Sequence, residues 1–418
     1  MMTSPTLGAD PGFGEGFDFT DPGLLAQGLP VREFATLRRT APVWWNEQDA
    51  NRGGGFHDGG FWVISKHVHI REISRDPDTW SSHDNGCIMR YANDVPIEEI
   101  EAAKVMMHNS DPPVHTRLRK LISRIFTPRN VAALEDGLTA SARQIVSAAA
   151  VKVEGDFVED IAHKLPLRAI ADLVGFPEDD HAKLFHWSNT IMAAEDPDCE
   201  DDAKLAMVDL MGYSYEIAAR RKREPADDII SRLVSVDDEG DQLTELEFGY
   251  FMLLLVVAGN ETTRNATSAG MLALLNHPAQ WELYKRDRPT TAVDEIIRWT
   301  SPVNAFQRTA RRDTTVGEVA VKKGQRVGLF YGSANYDEDV FSDAFTFDIL
   351  RNPNPHLGFG GTGPHYCIGA NLARKELGIM LNAVADHLPD IEVTAAPRRM
   401  RHGWINGITA MPVRFNAR

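Results

Sequence analysis

Phe359-Gly-Gly-Thr-Gly-Pro-His-Tyr-Cys367-Ile-Gly369 surrounds one cysteine with glycines, a proline and a histidine, directly before a helical pattern (Leu372, Ala373, Leu377, Ile379, Met380). A thiolate in such a turn can ligate a haem iron. Glycines let the backbone approach a flat macrocycle, and amide N–H groups can point at the sulfur. The helix expected to begin around Ile368 turns the positive end of its dipole toward Cys367, which favours the ionised thiol. Iron with a thiolate axial ligand favours cleavage of the O–O bond. A lone cysteine is more often an inert core residue, so the weight falls on its loop and on three further groups of residues.

Ala258-Gly-Asn-Glu-Thr-Thr263 sets polar groups inside an apolar helical run that opens on the capping-box pattern Thr244-Glu-Leu-Glu247. A buried polar group without partners costs about 2–7 kcal/mol, so the run needs a reason. One reason is chemistry: Gly259 would let a ligand approach the backbone, while Glu261 and Thr262 pass protons to bound oxygen. The other is a local kink, with threonine hydroxyls bonding back to carbonyls one turn earlier. Glu295-Ile-Ile-Arg298 places opposite charges at i, i+3, by spacing alone an ordinary surface pair, and Arg351 supplies another arginine upstream of Cys367. In Asp111-Pro-Pro-Val-His115-Thr-Arg-Leu-Arg119-Lys120, His115 and Arg119 share a helix face at i, i+4 and can reach one anion together. Arg117, Lys120 and Arg124 fall on another stripe of that helix, where they could dock an acidic protein or simply face water.

Residues 113–277 carry mostly helical periodicity, and short strands are expected at 61–65, 315–319, 326–330 and near 408–414. The class expected is mainly α with small β sheets (α+β). Residues 1–25, rich in Gly, Asp and Pro, are expected to form a poorly ordered arm before a single domain over 26–418. A chain of 418 residues with 43% hydrophobic content can bury a large core, and a net charge of −16 argues against nucleic acid as a partner. Cys87, Cys199 and Cys367 cannot all pair and offer no disulfide framework, which points to the cytoplasm. The N-terminus lacks the basic-then-apolar order of a signal peptide. The longest apolar run, 251–258, is far short of the ~20 residues that span a bilayer. A soluble, cytoplasmic monomer without a membrane span is expected.

The loop around Cys367 resembles the haem-binding loop of cytochrome P450 monooxygenases. Gly361, Gly363, His365, Cys367 and Gly369 lie on that pattern, and Phe359 sits one position before the family's leading Phe, which falls at Gly360. The resemblance covers nearly the whole chain. It implies the cytochrome P450 fold, with haem b (iron protoporphyrin IX) between a long central helix and the Cys-bearing loop. It further implies Cys367 as the metal ligand and cofactor contacts at Ala258, Gly259, Phe359, Gly360 and Gly369. His115, Arg119, Arg308 and His365 match its propionate contacts. Glu261 and Thr262 match the Gly-x-Asp/Glu-Thr oxygen-activation pattern and are the implied catalytic pair. Glu295, Arg298 and Arg351 match a structural Glu-Arg-Arg network that braces the haem loop. Dioxygen is the implied co-substrate, with ferredoxin and ferredoxin reductase as electron donors.

Segments outside the haem motifs narrow the likeness: Phe17-Asp-Phe-Thr-Asp-Pro22, Gly54-Gly-Phe-His-Asp-Gly-Gly-Phe-Trp62, Phe185-His-Trp-Ser-Asn189, Arg351-Asn-Pro-Asn-Pro-His356 and Gly403-Trp-Ile-Asn-Gly-Ile408. These are similar to the actinobacterial steroid C26/C27 side-chain monooxygenases. Such enzymes oxidise the terminal methyl of cholesterol and cholest-4-en-3-one, to the acid, in sterol catabolism. The likeness implies a substrate channel lined by Ile88, Tyr91, Ile191, Val256, Ala258, Val303, Phe306 and Trp404. Other readings stay open: a P450 that hydroxylates another lipid or a macrocyclic natural product, and a haem-thiolate peroxygenase or gas-binding haem protein. The Glu261-Thr262 pair weighs against the last two, which need no proton relay there.

Overall fold

The computed structural model describes residues 11–48, 54–91, 95–192, 202–226, 228–236 and 240–416. The helices that position the site are α1 (His67–Arg75), α2 (Val114–Ser123), α3 (Glu135–Ala150), α4 (Lys164–Val174), α5 (His181–Met192), α6 (Ala203–Arg223), α7 (Glu245–Asn276), α8 (Thr291–Thr300) and α9 (Ala370–His387). The expected capping box starts α7: the Thr244 hydroxyl accepts the Glu247 N–H at 3.2 Å, and the Glu247 carboxylate accepts the Thr244 N–H at 2.8 Å. Phe248, Met252 and Val256 then have no exposed surface. A helix this apolar on every side must be enclosed, and α7 packs against α4, α5, α6, α8 and α9.

The strands are β1 (Val43–Glu47), β2 (Gly60–Ile64), β3 (Trp80–Ser81), β4 (Ala305–Ala310), β5 (Thr314–Val316), β6 (Val319–Val321), β7 (Arg326–Phe330), β8 (Ile408–Ala410) and β9 (Pro412–Arg414). The largest sheet has the order β1-β2-β7-β4-β3. β2 and β7 run parallel with Trp62 opposite Val327, and β4 lies antiparallel to β7 with Arg308 opposite Val327. Both faces of β2 and β7 are buried, which suits their continuous apolar runs.

Three expectations change. The strand expected over 315–319 is the hairpin of β5 and β6, because Gly317 takes a left-handed φ of +56° and turns the chain between them. The strand near 408–414 is two strands in different sheets: Met411 leaves the pattern, its N–H going to Asp156 Oδ2 at 2.8 Å. Of the arm expected over 1–25, residues 1–10 lie outside the described residues, and from Phe13 onward the chain packs. Phe17 and Phe19 join Phe34, Trp44 and Phe330 in one aromatic cluster, with Phe19 fully buried. Aromatic burial outweighs the local Gly/Asp/Pro composition there. Cys199 lies outside the described residues. Among those residues no helix is long and apolar enough to cross a membrane.

Candidate active site

Cys367 closes its loop by donating its N–H to Phe359 O at 2.9 Å, and α9 begins at Ala370 with Gly369 as its cap. The loop lies against α1. A Cβ on Gly363, whose φ is +91°, would sit 2.2 Å from Ser74 O, so both conformation and contact require glycine. Cys367 retains exposed surface, yet burial pushes its thiol pKa up, against the Gly369 N–H, Arg119 and Arg374, which pull it down. Coordination to a metal ion deprotonates such a thiol outright.

Two adjacent acids of α8 hold the chain leading into this loop. Asp294 accepts from His356 Nε2 at 3.0 Å and from Arg374 Nε at 2.7 Å, and the Arg374 guanidinium lies 4.4 Å over the Phe359 ring. Glu295, fully buried, accepts both Nε and Nη2 of Arg298 at 2.8 Å. It also accepts Arg351 Nε at 3.1 Å, Asn354 Nδ2 at 3.0 Å and the Asp348 N–H at 2.9 Å. Glu295, Arg298 and Arg351 therefore form one network, and the surface-pair reading of 295 and 298 fails because both are enclosed.

On the other flank, His115 and His365 stack obliquely with ring centroids 4.1 Å apart. His365 Nε2 meets Ser82 Oγ at 3.0 Å, and Arg119 Nη2 donates to Tyr366 O at 2.7 Å. Burial, then Arg119 and Arg308, push His115 down to about 4. His365 falls well below its ordinary value through burial and the nearby Arg308, His115, His108 and Arg119. The nearby carboxylate, Asp111, is engaged by Ser81 Oγ at 2.5 Å, the Ser82 N–H at 2.8 Å and Arg311 at 2.7 Å. His115 Nε2 is buried without a partner. A donor set of this kind, with an orphaned nitrogen and its carboxylate engaged elsewhere, suits the two carboxylates of a haem. His108 also belongs here: burial and Arg308 push it down to about 4, and its Nδ1 has no partner. Sequence gave no signal for His108, because Pro112 and Pro113 separate it from the helix that carries His115.

Ala258, Gly259, Glu261 and Thr262 lie on α7. Ala258 is exposed although Val256 and Asn260 have no exposed surface. Gly259 was expected beside the cofactor, but its missing Cβ faces α4, where a methyl would meet Ile170 Cδ1 at 2.6 Å. Close helix packing accounts for that glycine. Thr262 donates its hydroxyl to Ala258 O at 2.8 Å, so the back-bonding alternative is realised. Glu261 Oε1 accepts from Arg264 and, at 2.8 Å, from Asn265 Nδ2, while its buried Oε2 has no partner. Arg264 extends to Asn189 Oδ1 of α5 at 3.0 Å.

Of the expected channel residues, the structure brings Val303, Phe306 and Trp404 together. The rings of Phe306 and Trp404 are 5.4 Å apart, and Val303, Trp404 and Val257 pack on Met192, Met400 and Ile405. Val256 is not among them. It lies in the helical core, its carbonyl taking the Ser188 hydroxyl at 3.3 Å, and Val257 holds the position expected of it. Ile191 also packs on the helical core. Ile88 is half-buried, and Tyr91 packs on the loop before β2, its N–H on Gly54 O at 2.9 Å and its ring 6.0 Å from Phe56. Met192, Met400 and Ile405 were illegible because tertiary contacts alone assemble them. Arg117 is no docking residue: it grips Asp241 and Glu247 at 2.7–2.8 Å, tying α2 to the start of α7.

A family model described as Cytochrome P450 matches residues 290–388. The chain is 55% identical over 409 residues to the steroid C26-monooxygenase of Mycobacterium tuberculosis (strain ATCC 25618 / H37Rv), covering 98% of this chain and 94% of that protein. It is 40% identical to the methyl-branched lipid omega-hydroxylase of the same strain, covering 92% and 90% respectively. Among solved structures it resembles a Mycobacterium marinum cytochrome P450 in complex with pseudoionone, with TM-score 0.85 and 35% identity over 94% of this chain and 97% of that one.

Proposed function

Because the chain belongs to the cytochrome P450 family, we propose that it oxidises the terminal methyl group of a sterol side chain, using dioxygen and two electrons. Cholest-4-en-3-one and cholesterol are the substrates. The observation that carries this reading is the 55% identity, across 98% of the chain, to a steroid C26-monooxygenase.

Haem b, when bound, supplies an iron whose thiolate ligand favours cleavage of the O–O bond of dioxygen. Cys367 supplies the thiolate, with the Gly369 N–H, Arg119 and Arg374 favouring its charge. His115, Arg119, Arg308 and His365, joined by His108, would hold the propionates, and Ala258, Phe359 and Gly360 would border the macrocycle. Thr262 has its hydroxyl hydrogen committed to Ala258 O, so its oxygen is left to accept from a proton-bearing water. Glu261, with one buried oxygen unpaired, is the acid that moves protons toward that water.

Val303, Phe306 and Trp404 exclude water and hold the aliphatic tail. A primary C–H bond is stronger than its tertiary neighbour, so terminal oxidation is imposed by position. Repeated turnover carries the alcohol to aldehyde and acid. On the face of the Cys367 loop, Arg75 donates to Thr362 Oγ1 at 2.8 Å. We assign this face to docking an acidic ferredoxin, which ferredoxin reductase recharges. Residues 26–418, with the packed segment from Phe13, act as one catalytic domain, monomeric and cytoplasmic. Product analysis tests the proposal: oxygen on the terminal side-chain carbon is expected, and oxygen on the ring system would overturn it.

A further inference from the structure

We propose that His402 is a positioning residue that fixes Trp404 on the substrate-channel wall and thereby sets which carbon is presented for oxidation. For the identity of the substrate the inference rests on the sterol reading above; for the residue it rests on geometry.

Trp404 lies in the turn between Met400 and β8. One edge of that turn is strung on the chain running from α8 into β4. The Asn304 N–H donates to Trp404 O at 2.9 Å, the Asn406 N–H to Pro302 O at 2.9 Å, and Asn406 Nδ2 to Thr300 O at 2.6 Å. Val303 pairs with Ile405 across the same edge. These bonds leave the N–H groups of Trp404 and Ile405 to be satisfied. Both go to one atom, His402 Nδ1, at 3.3 and 3.2 Å.

A ring nitrogen that accepts two donors carries no proton, so the assigned tautomer has its hydrogen on Nε2 and the ring is neutral. Burial acts in the same direction, leaving His402 7% exposed and pushing it down to about 4. The imidazole then stands edge-on to the Trp404 indole, centroids 5.0 Å apart at 77°, and that indole also meets Phe306. Gly403 closes the outward route: a Cβ there would lie 2.9 Å from Thr20 O. A histidine present for bulk alone would have no use for the double acceptor. Here the acceptor fixes the backbone that carries the indole, and the ring fixes the indole's tilt.

The test compares haem-loaded wild type, His402→Leu, His402→Asn and Trp404→Ala. One arm measures binding of 4-phenylimidazole and of the bulkier clotrimazole by the haem spectral shift, and takes the ratio of affinities. The other locates oxygen on products from cholest-4-en-3-one. Asparagine offers an oxygen to N–H groups two and three residues on, as Asx turns do; leucine offers none. His402→Leu is expected to move the azole ratio roughly tenfold, in the direction of Trp404→Ala, when two backbone donors lose their acceptor. It should also spread oxidation to inner carbons, and His402→Asn should restore both readouts. If His402→Leu fails to hold haem, His402→Gln, whose longer amide overshoots the turn, takes its place. An unchanged ratio and product pattern in the non-accepting variant overturns the inference, as does His402→Asn behaving like leucine, or Trp404→Ala leaving the ratio unmoved. A wild type that makes no sterol product refutes the sterol reading, while the azole arm still decides the role of His402.

Discussion

Removing Glu295 should cost more than removing Arg351, although both belong to one network. Arg298 is fully enclosed, with aromatic rings of Tyr336 and Phe341 5.3 Å from its guanidinium carbon. Its other partners are the carbonyls of Asn335 at 2.8 Å, Ala344 at 2.9 Å and Thr346 at 3.2 Å, so Glu295 is its counter-charge. Glu295→Ala leaves that cation buried and uncompensated, a loss of about 3–5 kcal/mol. Arg351→Ala deletes one charged bond to Glu295, worth about 1.5–3 kcal/mol, and the acid keeps Arg298, Asn354 and the Asp348 N–H. The other Arg351 bonds run to the carbonyls of Ser342, Asp343 and Thr346 at the surface, where water replaces them. A large cofactor protein does not unfold in two states, so the assay is the denaturant midpoint for loss of the thiolate-ligated haem spectrum. Glu295→Ala should have the lower midpoint, with Arg351→Ala between it and wild type. Equal midpoints, or the reverse order, would refute the assignment of Glu295 as the hub.

Cys367→His should replace the red-shifted band of the reduced, carbon-monoxide-bound protein by that of a histidine-ligated haem and abolish oxygenation; a variant with the wild-type band would make another residue the ligand. Thr262→Ala should keep haem and substrate binding but release peroxide in place of product, whereas full coupling would reduce Thr262 to a helix-bending role. Asp294 responds to pH. Burial pulls its carboxyl upward, but bonds from His356 and Arg374 outweigh this and hold it below its ordinary 3.8. A depressed folded-state pKa stabilises above the unfolded value and loses that contribution as pH falls through the folded one. Asp294→Asn should therefore lower the denaturant midpoint at neutral pH, and its difference from wild type should close in acid. A pH-independent difference would show that packing, not charge, accounts for it.

The chemistry-bearing residues were legible where a local pattern fixes local geometry. The glycines and proline around Cys367, the capping box before α7 and the i, i+4 pair His115 and Arg119 needed no distant partner to be read. What failed depends on partners far along the chain. Arg117 has the spacing of a surface residue, but Asp241 and Glu247 occupy it. Gly259 stands inside the oxygen-activation pattern, yet its absent side chain serves Ile170. Phe17 and Phe19 sit in composition typical of a loose arm, and Phe34, Trp44 and Phe330 bury them. Val256 and Val257 are indistinguishable by type, and the rotation of α7 against α5 decides which faces Met192. His108 and His402 carry no motif at all, because contacts set only by the tertiary fold give them their surroundings.

The central claim is tested most directly by a paired titration of the haem-loaded protein with cholest-4-en-3-one and with androst-4-ene-3,17-dione, which shares the rings but lacks the aliphatic tail. Each buried methylene is worth about 0.8 kcal/mol, so a tail of eight carbons supplies several kcal/mol after ordering costs. The account predicts a low-to-high-spin shift with cholest-4-en-3-one at micromolar concentration and a far weaker response to the tail-less steroid. Equal shifts from the two would contradict side-chain oxidation.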